Sequence, residues 1–193
     1  CNRHFVRAME GRAVGIPVDA STSYQLSNEL VRKHWTNRSA AVLIASPSNP
    51  TGTLIAHEEL RRIHSTVRER GGVLMVDEIY HGLTYGQKDR TALEIGDDIF
   101  VINSFSKYFG MTGWRLGWVV VPERYFDAVD RLAQNLFISS SEIAQKAALA
   151  AFHPETIALL EQRRDAYRAQ RDYLLPALRD LGFEVPVKPE GAF

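Results

Sequence analysis

The chain has 193 residues, and its 23 Lys and Arg balance its 23 Asp and Glu for a formal net charge of zero. Without a basic run it lacks the electrostatic footprint of a nucleic-acid binder, so no nucleic acid is expected as a partner. It contains no apolar run of about eighteen residues and no secretory leader pattern, so no membrane contact is expected, and its single cysteine, Cys1, excludes an intrachain disulfide and fits a reducing cytoplasm.

The chain opens at Cys1 without an initiator methionine and closes on Pro189-Glu190-Gly191-Ala192-Phe193, which reads as the lead into a further strand. Both ends are expected to be cuts in a longer protein. Residues 5–10 are compatible with a short helix and 13–18 with a short strand. A helix is expected from Ser27, ended by Trp35 or Asn37. Residues 40–45 form a continuous apolar run, as expected for a strand covered on both faces. A loop with two prolines follows, and then an amphipathic helix over 58–70 with Leu60, Ile63 and Val67 at helical spacing and Gly71-Gly72 as its stop. Residues 73–76 read as a buried strand that ends in Asp77-Glu78. Residues 86–98 are polar and loop-like with one helical turn. Strands are expected at 99–102 and 116–121.

The remainder reads as helical. One helix covers 123–132. Ser139-x-x-Glu142 has the spacing of a capping box and opens another through Phe152. Pro154 starts a long helix in which Leu160, Tyr167, Leu174 and Leu181 recur every seven residues, with Pro176 expected to kink or end it and Gly182 to close it. Alternating buried strands and amphipathic helices predict an α/β fold, a three-layer αβα arrangement around a mostly parallel sheet.

In such a sheet, ligands bind beyond the carboxyl ends of the strands. The polar clusters at 46–51, 77–80 and 104–107 each follow an apolar strand directly, so three strand ends converge on one rim. Lys107 stands among Phe105, Tyr108 and Phe109, where desolvation would lower its pKa and free the amine as a nucleophile; taken by itself, it reads better as a surface lysine in a strand-to-strand loop. Asp77 ends a buried strand and needs a cationic partner there, or else caps the next segment. Glu78, its neighbour, points the opposite way if strand geometry persists. Asn49 is held in a proline-stiffened loop, as an amide donor or as a simple Asn-Pro turn residue. Tyr80 can reach the same pocket or sit as a core aromatic with its hydroxyl at the rim. Arg115 offers a planar cation suited to phosphate. His81 follows Tyr80, but none of the histidines has metal-ligand spacing, and no metal is expected. No nucleophile-elbow, Walker or dinucleotide glycine pattern occurs.

Asn49-Pro50-Thr51-Gly52, Asp77-Glu78-x-Tyr80 and Ser104-x-Ser106-Lys107-x-x-Gly110-x-x-Gly113-x-Arg115-Leu116-Gly117 together resemble the signature of class I/II pyridoxal-phosphate-dependent aminotransferases, of fold type I, aspartate aminotransferase-like. The order and spacing of all three motifs agree, over nearly the whole chain. The resemblance implies that Lys107 forms a Schiff base with pyridoxal 5'-phosphate and acts catalytically with Asp77 and Tyr80. It implies that Asp77 pairs with the pyridinium nitrogen, that Asn49 and Tyr80 hold the phenolic oxygen, and that Ser104, Ser106 and Arg115 take the phosphate. It further implies amino-acid and 2-oxo-acid substrates and a cytoplasmic homodimer. Residues 1–152 would be a partial large, cofactor-binding domain, and 153–193 a connecting helix and the start of a small domain. The family's glycine-containing phosphate loop, its ring-stacking aromatic and its substrate-clamping arginine would lie outside this stretch. Two alternatives share the resemblance: a fold-type I lyase or synthase, and the effector domain of an aminotransferase-like transcription regulator.

Overall fold

The structure, a computed structural model, describes residues 2–86 and 88–192. Helix α1 spans Asn2–Ala8 and α2 spans Asn28–His34. Strand β1 is Ala41–Ala45, followed by α3 over His57–Glu69 and β2 over Val73–Asp77. Strands β3 (Phe100–Ser104) and β4 (Gly117–Val120) flank the lysine-bearing loop. Three helices complete the chain: α4 (Phe126–Leu136), α5 (Glu142–Ala150) and α6 (Pro154–Asp180).

The strands lie in the order β1-β2-β3-β4. The first two pairings are parallel and the last is antiparallel. This is the α/β, mostly parallel sheet read from the sequence. Alternate residues explain how it is held. Ile44, Leu74, Val76 and Val101 face one side and pack with Val31 of α2 and Leu60, Ile63 and Val67 of α3 in a single buried cluster. The opposite face is open in this chain, with Leu43, Ile102 and Val119 each more than a third exposed. The expectation that 40–45 is covered on both faces therefore holds on one face only, because the described helices α2 and α3 pack on a single side.

Local signals account for most boundaries. Ser27 caps α2 by accepting the Leu30 N–H at 3.2 Å, and Trp35 ends the helix. Glu58 and Glu59 occupy the first turn of α3, where negative charge is favoured by the helix dipole. The polar stretch before β3 contains the expected single helical turn, Ala92–Glu94.

Several expectations need correction. Residues 13–18 form no strand; with Gly15 and Pro17 in the segment and no strand beside them among the described residues, they run largely exposed as irregular chain. The helix expected at 5–10 is displaced to Asn2–Ala8. The segment expected as one helix over 123–132 begins as a 3-10 turn, Glu123–Tyr125, and α4 then runs on to Leu136. The cap of α5 is Ser141, whose hydroxyl accepts the Ala144 N–H at 3.4 Å, and not Ser139: of three consecutive serines, only the last stands directly before the helix. Of the two outcomes expected at Pro176, a kink or an end, the end does not occur: α6 continues to Asp180, with the neighbouring Leu175 anchored in the interior. The seven-residue seam also differs. Leu160 is buried, but Tyr167, Leu174 and Leu181 are exposed, and the second buried anchor is Leu175. Gly182 closes the helix as expected, with φ of 86° and its N–H on the Arg179 carbonyl at 2.9 Å.

Ile63 is fully enclosed in the cluster between α3 and the sheet. Ile63→Ala is expected to cost about 3 kcal/mol of unfolding free energy, read as a lowered urea midpoint with unchanged slope; a loss under about 1 kcal/mol would mean that this cluster is not the core.

Candidate active site

The parallel strands end in lateral register. Ala45 pairs with Asp77, and Asp77 with Ile102. The ladder runs one step further, with the Ser46 N–H on the Asp77 carbonyl at 3.1 Å and the Glu78 N–H on the Ile102 carbonyl at 2.8 Å. Three loops therefore leave the sheet side by side, and the convergence read from the sequence is met.

The loop after β1 delivers Asn49, whose Nδ2 donates to the Tyr80 hydroxyl at 3.1 Å. Tyr80, from the loop after β2, is buried, and the Lys107 Nζ lies 5.3 Å from its ring centroid, within cation–π range. An amide, a phenol and an amine from three different loops thus form one cluster. Asp77 stands at the end of β2 on the face of the sheet away from α3. One of its carboxylate oxygens accepts the Ile79 N–H at 3.0 Å. Burial pushes its pKa above the ordinary carboxylate value, and this hydrogen bond offsets only part of that rise.

Glu78 points the other way, as alternation required. It is buried, with Oε1 accepting the Ala92 N–H at 2.6 Å and the Thr91 hydroxyl at 3.2 Å. Burial raises its pKa, countered first by His81, whose Nδ1 is 3.3 Å away. Glu78 thus ties the stretch after Tyr80 to the turn at Ala92–Glu94, and the His81 ring stands against its other carboxylate oxygen.

The loop between β3 and β4 is closed by its own hydrogen bonds. The Phe105 N–H reaches the Leu116 carbonyl at 3.1 Å, the Met111 N–H the Phe105 carbonyl at 2.9 Å, and the Gly110 N–H the Lys107 carbonyl at 3.0 Å. Ser104 Oγ accepts the Ser106 N–H and donates to the Leu116 carbonyl, both at 3.0 Å, and the two serine hydroxyls are 3.0 Å apart. Arg115 has φ of 53°, and its exposed guanidinium donates to the Thr112 carbonyl at 2.8 Å. The Thr112 hydroxyl in turn donates to the Ser106 carbonyl at 2.5 Å, so Arg115 is joined to the serine pair through a residue that sequence reasoning did not single out. An apolar recess of about 590 Å³, walled in part by Phe105, Phe109, Trp118 and Phe152, lies beside this loop, and none of the expected site residues lines it.

Sequence reasoning also missed how the end of the chain braces the rim. Glu190 and Gly191 donate their N–H groups to the Gly52 carbonyl at 2.8 and 3.0 Å, and Ala192 donates to the Leu83 carbonyl at 2.8 Å. Gly52 has φ of +64°, and a Cβ there would sit 2.5 Å from the Gly191 carbonyl oxygen, so only glycine allows the approach. Arg171 of α6 donates to the Pro189 carbonyl at 3.0 Å and stacks its guanidinium 4.9 Å from the Tyr85 ring. The only sequence signal was the positive-φ preference of Gly52, and it names no partner. Among the described residues no helix is long and apolar enough to cross a membrane, and no group of three or more His, Cys, Asp or Glu could hold a metal ion.

Comparison with known proteins agrees with this geometry. A model of the family described as aminotransferase class I and II matches residues 3–193. The chain is 38% identical to a valine–pyruvate aminotransferase of Mycobacterium tuberculosis, covering all of this chain and 50% of that protein. Among solved structures, an aminotransferase from Mycobacterium tuberculosis superposes with a TM-score of 0.94 at 37% identity, covering 100% of this chain and 50% of the other. An aspartate aminotransferase double mutant from Thermus thermophilus gives 0.91 at 32% identity, covering 97% and 50%. The chain spans about half the length of the curated relatives it matches. The family is pyridoxal-phosphate dependent. Strand-end register, the three-loop cluster and these likenesses converge: the chain belongs to the class I and II aminotransferases.

Proposed function

We propose that this chain is the cofactor-holding part of a longer pyridoxal-phosphate-dependent aminotransferase, which moves an amino group from an L-amino acid to a 2-oxo acid with Lys107 as the covalent anchor. The observation that carries the reading is the Asn49–Tyr80–Lys107 cluster, assembled from three loops at one rim beside Asp77. The donor set fits each part of pyridoxal phosphate. A desolvated carboxylate suits a protonated ring nitrogen, an amide and a phenol suit the phenolic oxygen, an amine suits the aldehyde, and paired hydroxyls with a guanidinium suit the phosphate. When bound, the cofactor supplies an electron sink for the electrons left at the substrate α-carbon.

The chain's own residues then have distinct tasks. Asp77 holds the proton on the ring nitrogen through a charge-assisted hydrogen bond. Asn49 and Tyr80 orient the ring through its phenolic oxygen. Ser104, Ser106 and Arg115 hold the phosphate at the mouth of the loop. Lys107 Nζ would anchor the cofactor through its aldehyde and would be the base placed to take the proton from the substrate α-carbon. Residues 1–152 are read as part of the large domain, with 153–193 as the connecting helix and the start of the small domain; the unbroken 27-residue α6 supports this division. A cytoplasmic homodimer is the proposed assembly, with exposed Phe137, Ile138 and Ile143 forming an apolar surface that a second copy would cover.

Two measurements test the reading. Full-length protein mixed with pyridoxal phosphate is expected to develop a visible absorbance band that Lys107→Ala abolishes. A band that survives this substitution would remove Lys107 from the anchor role. The second concerns Asp77. Its folded-state pKa is raised, so stability present below its ordinary value of 3.8 is lost as pH rises through the folded-state value. Asp77→Asn keeps an acceptor for the Ile79 N–H and removes that loss. In cofactor-free protein at pH 7 the variant is therefore expected to melt at or above the wild-type temperature, with the two curves converging below about pH 4. The same variant should bind the cofactor at least about tenfold more weakly. A clear drop in the cofactor-free melting temperature at pH 7 would show that the charge is not held at a cost.

A further inference from the structure

Helix α6 reaches the lysine loop at two points. The Tyr108 hydroxyl donates to Glu161 Oε1 at 2.5 Å, and the other oxygen of Glu161 lies 2.6 Å from Arg164 Nη1. One residue beyond the next aromatic, Gly110 (φ +67°) passes so close beneath Arg163 that a Cβ would lie 2.6 Å from its Nη1. Between these contacts the loop is a tight turn, closed by the Gly110 N–H on the Lys107 carbonyl at 3.0 Å. Whatever fixes Tyr108 therefore fixes the backbone of Lys107.

The Tyr108 ring also sets the distance to the facing loop. It lies flat against Gly82, two residues after Tyr80, where φ is +89° and a Cβ would overlap the ring. On its other side it meets Phe109 edge-on at 5.1 Å. The ring is thus a spacer between the turn that carries Tyr80 and the turn that carries Lys107, and its hydroxyl is pinned to α6. Burial first, and then the hydrogen bond and charge of Glu161, push the Tyr108 pKa up to about 12, so at neutral pH the phenol keeps its proton and is the donor to Glu161.

We propose that Tyr108 and Glu161 are positioning residues for Lys107: their hydrogen bond anchors the lysine loop to α6 and holds Nζ where it can attach the cofactor. The proposal rests on the reading of Lys107 as the anchor. Through it, the helix that leads toward the end of the chain, and that braces Pro189 through Arg171, also fixes the reactive amine.

The test uses full-length protein freed of cofactor. Pyridoxal phosphate is added, and attachment, the condensation of Nζ with the cofactor aldehyde with loss of one water, is quenched with borohydride and counted by mass. Tyr108→Phe and Glu161→Ala are each expected to slow attachment about tenfold, with no further loss in the double variant. Glu161→Gln, which keeps an acceptor oxygen, should restore most of the rate. In a Lys107→Ala background, where only non-covalent binding remains, equilibrium dialysis should give the same Kd whether residue 108 is Tyr or Phe. Attachment at the wild-type rate in Tyr108→Phe, additive losses, or an equal loss of affinity in the Lys107→Ala background would each overturn the positioning role. Should Tyr108→Phe fail to fold, the contrast between Glu161→Ala and Glu161→Gln decides alone. Borohydride capture of cofactor by Lys107→Ala itself would instead refute the anchor reading, a separate outcome.

Discussion

The register of three parallel strands is the constraint on which the rest of the site depends. Because Ala45, Asp77 and Ile102 are neighbours in one ladder, the loops that leave β1, β2 and β3 begin within a few ångströms of each other. Neighbouring parallel strands lie about 4.8 Å apart, so side chains one to five residues beyond each end are forced into a common volume. The register is itself dictated by burial. A one-residue slip of β2 would turn Leu74 and Val76 away from α3 and drive Asp77 into the apolar cluster. The hydrophobic packing of Ile63 and Val67 on the sheet and the outward aim of Asp77 are therefore consequences of one pattern.

On this frame the lysine loop behaves as a small unit with its own hydrogen bonds. The antiparallel β3–β4 pair brings Ser104 opposite Gly117. Gly117 is placed so that a Cβ would lie 2.7 Å from the Asn103 carbonyl oxygen, which makes the close pairing at the loop's root depend on glycine. The loop's hydroxyls and backbone groups are satisfied internally, through Ser104, Ser106 and Thr112, so that its polar groups are held in place before any ligand arrives. Preorganisation of this kind would reduce the ordering cost of the phosphate contact proposed for this loop. Asp77 contributes the opposite tendency. A carboxylate raised in pKa by burial weakens the fold at neutral pH and gains most from a cation placed beside it.

The long helix and the last residues of the chain enclose the rim from outside. Glu161, Arg163 and Arg171 lie along one helix, and they touch the lysine loop, Gly110 and the Pro189 carbonyl respectively. A rigid element with contacts at both ends of a site can transmit a displacement of one to the other, which a flexible linker would absorb.

Much of this was legible in the residues. Buried strand runs, the Ser27 cap, the Gly71-Gly72 stop and the polar clusters after each strand are local signals, and they led to an α/β sheet with Asn49, Asp77, Tyr80 and Lys107 at one rim. The opposite aims of Asp77 and Glu78 came from alternation alone. The readings that failed were those that needed a partner to be decided: residues 13–18 have no strand beside them among the described residues, the serine run offered three equivalent caps, and the seven-residue seam of α6 could not show that Leu175 and not Leu174 is buried. The Tyr108–Glu161 bond, the close approach of Gly52 to Gly191 and the Thr112 bridge join residues whose separation in sequence carries no periodicity. Local sequence determines which groups a strand end presents, because propensity and alternation act over a few residues. Tertiary structure alone decides which distant group meets them, because that depends on how whole elements pack.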